Sequence, residues 1–276
     1  MIVEDDQQMK IGFIGVGNMG KAIITGLLRK GNVLAENILV HSAHPVNYET
    51  YAKKYGLTPC LNNVEVANQA DYLFLAVKPG SAPEILAEIS GALQEKKSVV
   101  ISLLSGVGLT DLENYVDSTQ VEFLRIMPNV NVAIGAGITA FKGNTVLTKE
   151  HLETAHQMLE DLGSVVELEE KDFSTFVALA GSSPAFVYFY IDSMARAGVK
   201  YGLTKKQAVK VAAQAVLGSS ANVLQSEKSP QDLVDDVCSP GGTTIAGLLA
   251  MEEAGFMKAV VKGIDATIAK DRKQKK

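Results

Sequence analysis

The sequence has few cysteines, no excess of basic residues and no long apolar run, and each shortage excludes a class of protein. Its two cysteines, Cys60 and Cys238, form neither a disulfide framework nor a metal or redox spacing, which favours a reducing compartment. The net charge of −5 argues against nucleic acid as a partner, because proteins that bind polyanions carry a basic footprint. The apolar run 185–191 is too short to span a bilayer. The sequence therefore predicts a cytoplasmic protein that binds neither nucleic acid nor membrane.

Metal-ligand clusters and targeting signals are also missing from the sequence. His151 and His156 are five residues apart on a predicted helix, so they do not face one another well enough to share a metal ion. Residues 1–8 are acidic and lack a basic region followed by an apolar one, so we interpret them as an N-terminal extension and not as a secretory signal. The remaining chain, 47% hydrophobic and 21% charged, is long enough for two globular domains.

A glycine fingerprint opens the first domain, which we predict over residues 9–169. A short apolar strand, 11–14, runs into Gly15, Gly17 and Gly20, and apolar residues then recur at helical spacing. In this pattern the first glycine permits a tight turn, the second lets the backbone approach a pyrophosphate, and the third allows the helix to pack on the strand. The order of strand, glycines and helix predicts a dinucleotide-binding site.

The end of the second predicted strand, 37–40, indicates which dinucleotide binds. An acidic residue here would accept hydrogen bonds from the adenosine 2′-hydroxyl and favour NADH. The sequence instead reads His41, Ser42, Ala43, His44, and Glu36 precedes the strand. We predict NADPH, with NADH possible, and give neither histidine a catalytic role.

Further strands and helices alternate up to residue 168, which predicts a doubly wound, mostly parallel sheet of the Rossmann type. The predicted strands are 71–77, 99–102, 122–127, 138–141 and 164–168, and the predicted helices are 47–55, one from Pro83, and 150–162. Ligands of such sheets bind at the carboxyl ends of the strands.

The second domain, predicted over residues 170–276, is all helical. Helices are expected over 171–180 and 185–196, separated at 181–184, and Thr204 and Ser229 are expected to begin two more. The helix 185–196 is apolar on nearly every face, which a small monomeric domain can hardly bury. The pattern therefore indicates a homodimer formed through this domain.

The stretch 236–244 contains Ser239, Pro240, Gly241 and Gly242, followed by a helix. Thr243 or Thr244 is the expected N-cap. Uncovered backbone N–H groups at such a helix start suit a small carboxylate or phosphate. An ordinary turn between two helices is the alternative interpretation.

From Met9 onward the chain resembles the pyrroline-5-carboxylate reductases, the enzymes that make proline. The motifs that match are 12–19, 74–79, 127–129, 181–185 and above all 236–244. The resemblance implies an oxidoreductase of the CH–NH class that reduces 1-pyrroline-5-carboxylate with NAD(P)H in amino-acid biosynthesis, as a dimer that can assemble into a decamer. Asn131 and Ser183 depart from the usual family form, which puts local loop geometry in question.

The resemblance also implies the site residues. The cofactor residues are Gly15, Val16, Gly17, Asn18, Met19, Ser42, Asn62, Ala76, Val77, Lys78, Pro79, Leu104, Ser105 and Asn129. The substrate residues are Glu227, Val237, Ser239, Gly241, Gly242, Thr243 and Thr244.

Thr244 is the predicted catalytic residue. An imine accepts hydride readily when its nitrogen is protonated or strongly hydrogen-bonded, and Thr244 is a donor beside the turn amides. A purely capping role is the alternative for Thr244, and a helix-surface carboxylate is the alternative for Glu227. Two rival functions are a 3-hydroxyacid dehydrogenase or related cyclic imine reductase, and a non-catalytic nucleotide-binding relative. The 181–190 segment has no lysine to serve the dehydrogenase chemistry, and the intact 239–244 turn argues against loss of catalysis.

Overall fold

The structure is a computed structural model that describes residues 9–274, apart from the side chains at positions 47 and 274. The predicted N-terminal extension lies outside the described residues. The chain separates into two compact units: one ends at Gly181 and includes the chain from Lys270, and the other is Ser182–Ala269. The predicted domain boundary at residue 170 falls inside the first unit, at the start of a 3₁₀ turn, Glu170–Asp172.

The first unit alternates strands with helices. Its strands are β1 (Ile11–Ile14), β2 (Ile38–His41), β3 (Thr58–Pro59), β4 (Tyr72–Leu75), β5 (Val99–Ser102), β6 (Phe123–Pro128), β7 (Gly137–Gly143) and β8 (Gly163–Glu167). Its helices are α1 (Asn18–Lys30), α2 (Pro45–Tyr55), α3 (Asn63–Gln69), α4 (Ala82–Lys96), α5 (Leu109–Tyr115), α6 (Lys149–Glu160) and α7 (Phe173–Phe176).

The strands form one sheet in the order β3-β2-β1-β4-β5-β6-β7-β8. Neighbours are parallel except β6 and β7, which confirms the predicted doubly wound, mostly parallel sheet. Gly12 of β1 pairs with Leu39 of β2 and Leu73 of β4. The loop after β1 therefore lies between the carboxyl ends of β2 and β4, where Rossmann sheets bind nucleotides.

Helices bury both faces of the sheet, as a parallel sheet requires. On one face Phe13 stacks on Phe74 with ring centroids 4.7 Å apart, and α1 and α6 cover this layer. On the other face Ile14 and Leu73 pack with apolar residues of α3 and α4. A Cβ added to Gly12 would lie 2.6 Å from the Val66 side chain, so this glycine lets α3 approach β1 closely.

Three short elements, β3, α3 and α5, were not predicted because each is too brief to show a clear hydrophobic period. The predicted break at 181–184 is wrong. The chain instead passes from α7 through a π-helical turn, Val177–Gly181, into α8. Pro184 lies in the first turn of α8, where its missing N–H removes no helical hydrogen bond.

The second unit contains α8 (Ser183–Lys200), α9 (Lys205–Gln225), α10 (Pro230–Val237), α11 (Thr243–Glu253) and α12 (Phe256–Gln274), whose last turn belongs to the first unit. The predicted starts of α9 and α10 are confirmed, since Thr204 with Gln207 and Ser229 with Asp232 form capping boxes. The predicted threonine N-cap of α11 is wrong. Gly242 is the N-cap, and Thr243 and Thr244 are the first two helical residues.

The helices of the second unit expose much apolar surface. Phe189 of α8 is 76% exposed and Tyr188 is 58% exposed. Within the described part of this unit, the buried residues are Pro184, Ala195, Ala208 and Ala212. The stretch Glu170–Lys200 is, by length and composition alone, apolar enough to cross a membrane. An apolar surface of this size on a small helical unit indicates a partner that covers it.

Candidate active site

The glycine loop between β1 and α1 has the backbone geometry that its motif predicts. Gly15 has φ +97°, and a Cβ there would lie 2.4 Å from the carbonyl oxygen of Ala76. A Cβ on Gly20 would lie 2.7 Å from the carbonyl oxygen of Gly15. Around Gly17 there is open space, so a ligand can approach the backbone there. The first and third glycines are thus fixed by packing, and the second leaves room for a ligand.

The N-terminus of α1 is suited to a pyrophosphate. Gly17 is its N-cap and offers no side chain, and the first turn contains no acidic residue. The first backbone N–H groups of the helix therefore have no capping side chain, and the positive end of the helix dipole is uncompensated. These are the features of a phosphate-binding helix terminus.

A cavity of about 650 Å³ adjoins this loop. Its walls come from the segments that follow β1, β2 and β4, together with one face of α4. Seven of the predicted cofactor residues line it: Gly15, Val16, Gly17, Ser42, Ala76, Val77 and Lys78. A cavity of this volume at the carboxyl ends of three neighbouring strands fits a dinucleotide.

The other predicted cofactor residues are not among the residues that line the cavity: Asn18, Met19, Asn62, Pro79, Leu104, Ser105 and Asn129. Asn18 and Met19 occupy the first turn of α1, where they offer backbone N–H groups. Leu104 is buried, whereas Ser105 and Pro79 are exposed. Contacts of these residues with a cofactor stay predictions.

Two of the predicted asparagines are engaged in internal hydrogen bonds. Asn62 caps α3, because its Oδ1 accepts the Glu65 N–H at 2.8 Å. Asn129 is buried, and its Nδ2 donates to the carbonyl oxygen of Ala180 at 3.1 Å. The Asn129 Oδ1 accepts the N–H groups of Asn131 and Ile138. The side chain of Asn129 therefore fixes the end of β6 to the π-helical turn.

One wall of the cavity was missed at the sequence level. It is formed by Asn63 and by a face of α4 with the turn before it: Ser81, Glu84, Ile85 and Glu88. The last four residues follow the helical spacing i, i+3, i+4, i+7. A helix was predicted from Pro83, soon after the β4 strand. The helical spacing of these four residues could therefore have indicated that they share one face beside the cavity.

The predicted substrate turn lies between α10 and α11. Gly241 has φ +69°, and the Gly242 N–H donates to the Ser239 carbonyl oxygen at 3.0 Å. A Cβ on Gly242 would lie 2.4 Å from the Ser239 Oγ, so the serine hydroxyl lies directly against the α11 N-cap. The first turn of α11 has no acidic residue and no capping side chain, and its Thr243 and Thr244 are exposed.

An ion pair joins the segment before α10 to the last turn of that helix, just ahead of the substrate turn in sequence. The Lys228 Nζ lies 2.7 Å and 3.0 Å from the two carboxylate oxygens of Asp236. Glu227 immediately precedes the lysine, and Val237 immediately follows the aspartate. Both Glu227 and Val237 are exposed. Ser239, Gly241, Gly242, Thr243 and Thr244 thus lie at the N-terminus of α11, whereas Glu227 and Val237 lie beside the ion pair that precedes it in sequence.

Comparison with known proteins decides the family. The family profile "Pyrroline-5-carboxylate reductase dimerisation" matches residues 170–274, and "NADP oxidoreductase coenzyme F420-dependent" matches residues 10–106. The chain is 38% identical to the pyrroline-5-carboxylate reductase of Escherichia coli (strain K12) over 269 residues, which is 98% of this chain and 99% of the relative. The chain belongs to the pyrroline-5-carboxylate reductase family.

Solved structures of other pyrroline-5-carboxylate reductases share the fold. The Plasmodium falciparum enzyme with NADP bound has a TM-score of 0.87 at 28% identity and covers 99% of this chain and 100% of that one. The Streptococcus pyogenes enzyme has a TM-score of 0.84 at 37% identity and covers 96% and 98%. The predicted family, fold and main function are confirmed: this reductase is an oxidoreductase with an NADP-dependent Rossmann fold and a helical dimerisation domain.

Proposed function

We propose that this reductase transfers a hydride from NADPH to the C=N bond of 1-pyrroline-5-carboxylate and produces L-proline, the last step of proline biosynthesis. The observation that carries this proposal is the α11 N-terminus, where a glycine N-cap, the adjacent Ser239 hydroxyl and the open space around Gly241 suit a small anion. The reaction belongs to the oxidoreductases that act on CH–NH groups.

The first unit supplies the residues that hold the cofactor. Backbone N–H groups from Gly17 onward would bind the pyrophosphate, and Ser42 would meet the adenosine ribose. The strand end 76–78 would line the nicotinamide side. When bound, the reduced nicotinamide is the source of the hydride.

The second unit supplies the residues that hold the substrate. Ser239 and the backbone N–H groups of Gly241 and Thr243 would bind the carboxylate at the positive end of α11, since the Gly242 N–H already donates to the Ser239 carbonyl oxygen. Thr244 would donate a hydrogen bond to the ring nitrogen, where negative charge would otherwise develop as the carbon accepts the hydride. Solvent can supply the proton that this nitrogen takes up as the C=N bond is reduced.

The reaction is tested by mixing the purified protein with NADPH and 1-pyrroline-5-carboxylate and following the absorbance of the reduced cofactor. We expect substrate-dependent oxidation of NADPH with L-proline as the product. A 3-hydroxyacid that reduces NADP⁺ under the same conditions would favour the dehydrogenase alternative. Cofactor binding without turnover of either substrate would favour a non-catalytic relative.

Cofactor preference is tested at Ser42. Because Ser42 lines the cavity after β2, an aspartate there would accept hydrogen bonds from the 2′-hydroxyl and repel a 2′-phosphate. We expect Ser42→Asp to shift the ratio of kcat/KM for NADPH over NADH towards NADH by at least about tenfold. An unchanged ratio would remove Ser42 from this role.

We further infer that the reductase acts as a homodimer whose interface covers the apolar faces of the second unit. The exposed aromatic run on α8 supports this inference. Assembly into a decamer, a cytoplasmic location and the absence of nucleic-acid and membrane partners stay predictions.

A further inference from the structure

Two histidines, His41 and His44, line the cavity beside Ser42, and the structure separates their roles. The His41 Nδ1 lies 3.1 Å from the carbonyl oxygen of Cys60. The His41 ring also packs edge-on against Tyr48, with centroids 5.3 Å apart. His41 is therefore held in the fold by the loop after β3 and by α2.

His44 has a different environment. It is exposed and is the N-cap residue of α2, yet its side chain makes no capping hydrogen bond. Pro45 follows it, and the first turn of α2 contains no acidic residue. Among the described side chains, none forms a hydrogen bond or ion pair with the His44 ring. The imidazole is thus available to a ligand in the cavity.

His44 and Lys78, which both line the cavity, follow different strands of the sheet. Lys78 follows β4, on the opposite side of β1 from β2, and α4 contributes Glu84 and Glu88 to the cavity wall. Glu88 accepts a hydrogen bond from Asn63 at 2.9 Å. Titratable groups near the end of β2 include His41, Tyr48 and the three groups around Tyr48, which are Glu49, Cys60 and Glu65. Burial raises the pKa of Tyr48 and raises that of Cys60 to about 11, so both are neutral near pH 7.

We propose that His44 is a specificity-determining residue for the cofactor: its imidazolium pairs with the 2′-phosphate that distinguishes NADPH from NADH. This inference rests on the proposed use of NADPH. The strand end after β2 is where Rossmann domains discriminate the 2′ substituent, and Ser42 is the neutral neighbour of His44 there. A phosphate near His44 favours the protonated imidazole, so by linkage a proton on His44 strengthens phosphate binding.

The test measures binding of 2′,5′-ADP and AMP by calorimetry, because these ligands differ by the 2′-phosphate. The enzyme is compared with His44→Gln and with the matched control His41→Gln. We expect His44→Gln to weaken 2′,5′-ADP binding about tenfold at pH 6 and to leave AMP binding unchanged.

Two results would overturn the proposal. One is equal affinity of the enzyme and His44→Gln for 2′,5′-ADP at this pH. The other is loss of 2′,5′-ADP affinity in His41→Gln with a melting temperature equal to that of the unmodified enzyme. The assay contains no imine substrate, so failure of the proposed reaction and failure of this inference are observed separately.

Discussion

At the residue scale, the glycines of the cofactor loop were predictable because their role is set by local backbone geometry. The backbone has a positive φ at Gly15 and approaches the loop closely at Gly20, and the motif predicts both features. The role of Asn129 was not predictable in the same way. Its partner is the carbonyl oxygen of Ala180, 51 residues later in the sequence. A buried amide can be assigned only when the fold brings its partner to it.

A catalytic role of Thr244 can be distinguished from a helix-capping role by mutation. Because Gly242 is the N-cap of α11, removal of the Thr244 hydroxyl removes no cap. We expect Thr244→Ala to lower kcat by about 10²–10³-fold, with the KM for NADPH and the melting temperature nearly unchanged. Thr244→Ser, which keeps the hydroxyl, should retain most of the activity. A kcat of Thr244→Ala equal to that of the unmodified enzyme would remove Thr244 from the mechanism.

At the scale of elements, the long periodic helices and the four-residue buried strands were predicted well. The short elements were not predicted, and neither was the continuous passage from α7 into α8. The π-helical turn Val177–Gly181 lies where glycine, two serines and a proline indicated a break. The Asn129 hydrogen bond to Ala180 fixes this turn, and such a tertiary contact overrides local propensity.

The Lys228–Asp236 ion pair holds one element in place, because it joins the chain before α10 to the end of that helix. Removing the lysine would leave an unpaired carboxylate one residue before Val237, where it repels an anionic substrate. We expect Lys228→Met to raise the KM for 1-pyrroline-5-carboxylate about threefold to tenfold and to leave the KM for NADPH unchanged. The free energy of unfolding should change by less than about 1 kcal/mol, since both partners are exposed.

The matched control for this pair is Lys205→Met. Lys205 pairs with Asp192 between α8 and α9, is similarly exposed, and has no predicted substrate residue beside it. The control should leave the substrate KM unchanged, and the exchanged pair Lys228→Asp with Asp236→Lys should restore much of the lost affinity. An equal rise of KM in both lysine variants would contradict a role in positioning the turn.

At the scale of the whole molecule, the sequence predicted two parts of different kinds because their hydrophobic patterns differ. The first part buries its apolar residues within itself, whereas the second exposes them. The apolar surface that a single chain leaves uncovered therefore predicts a dimer. The geometry of that dimer could not be predicted, because it depends on how a second chain packs.

Phe189 tests this assembly. A carboxylate at this 76% exposed position would be buried without a partner in a dimer interface. We expect Phe189→Glu to convert the dimer to a monomer, as measured by light scattering after size-exclusion chromatography. Leu34→Glu, at an exposed apolar position of the first unit, is the control and should leave the dimer intact. A monomeric unmodified enzyme would contradict the inferred interface.

The proposed reaction depends on the turn before α11, which would bind the carboxylate of the cyclic substrate. Its most direct test is a crystal structure of the reductase with NADP⁺ and L-proline. We expect the proline carboxylate within hydrogen-bond distance of the backbone N–H groups of Gly241 and Thr243, with Thr244 Oγ1 at the ring nitrogen. A proline ring bound elsewhere, with the turn empty and remote from the nicotinamide, would contradict it.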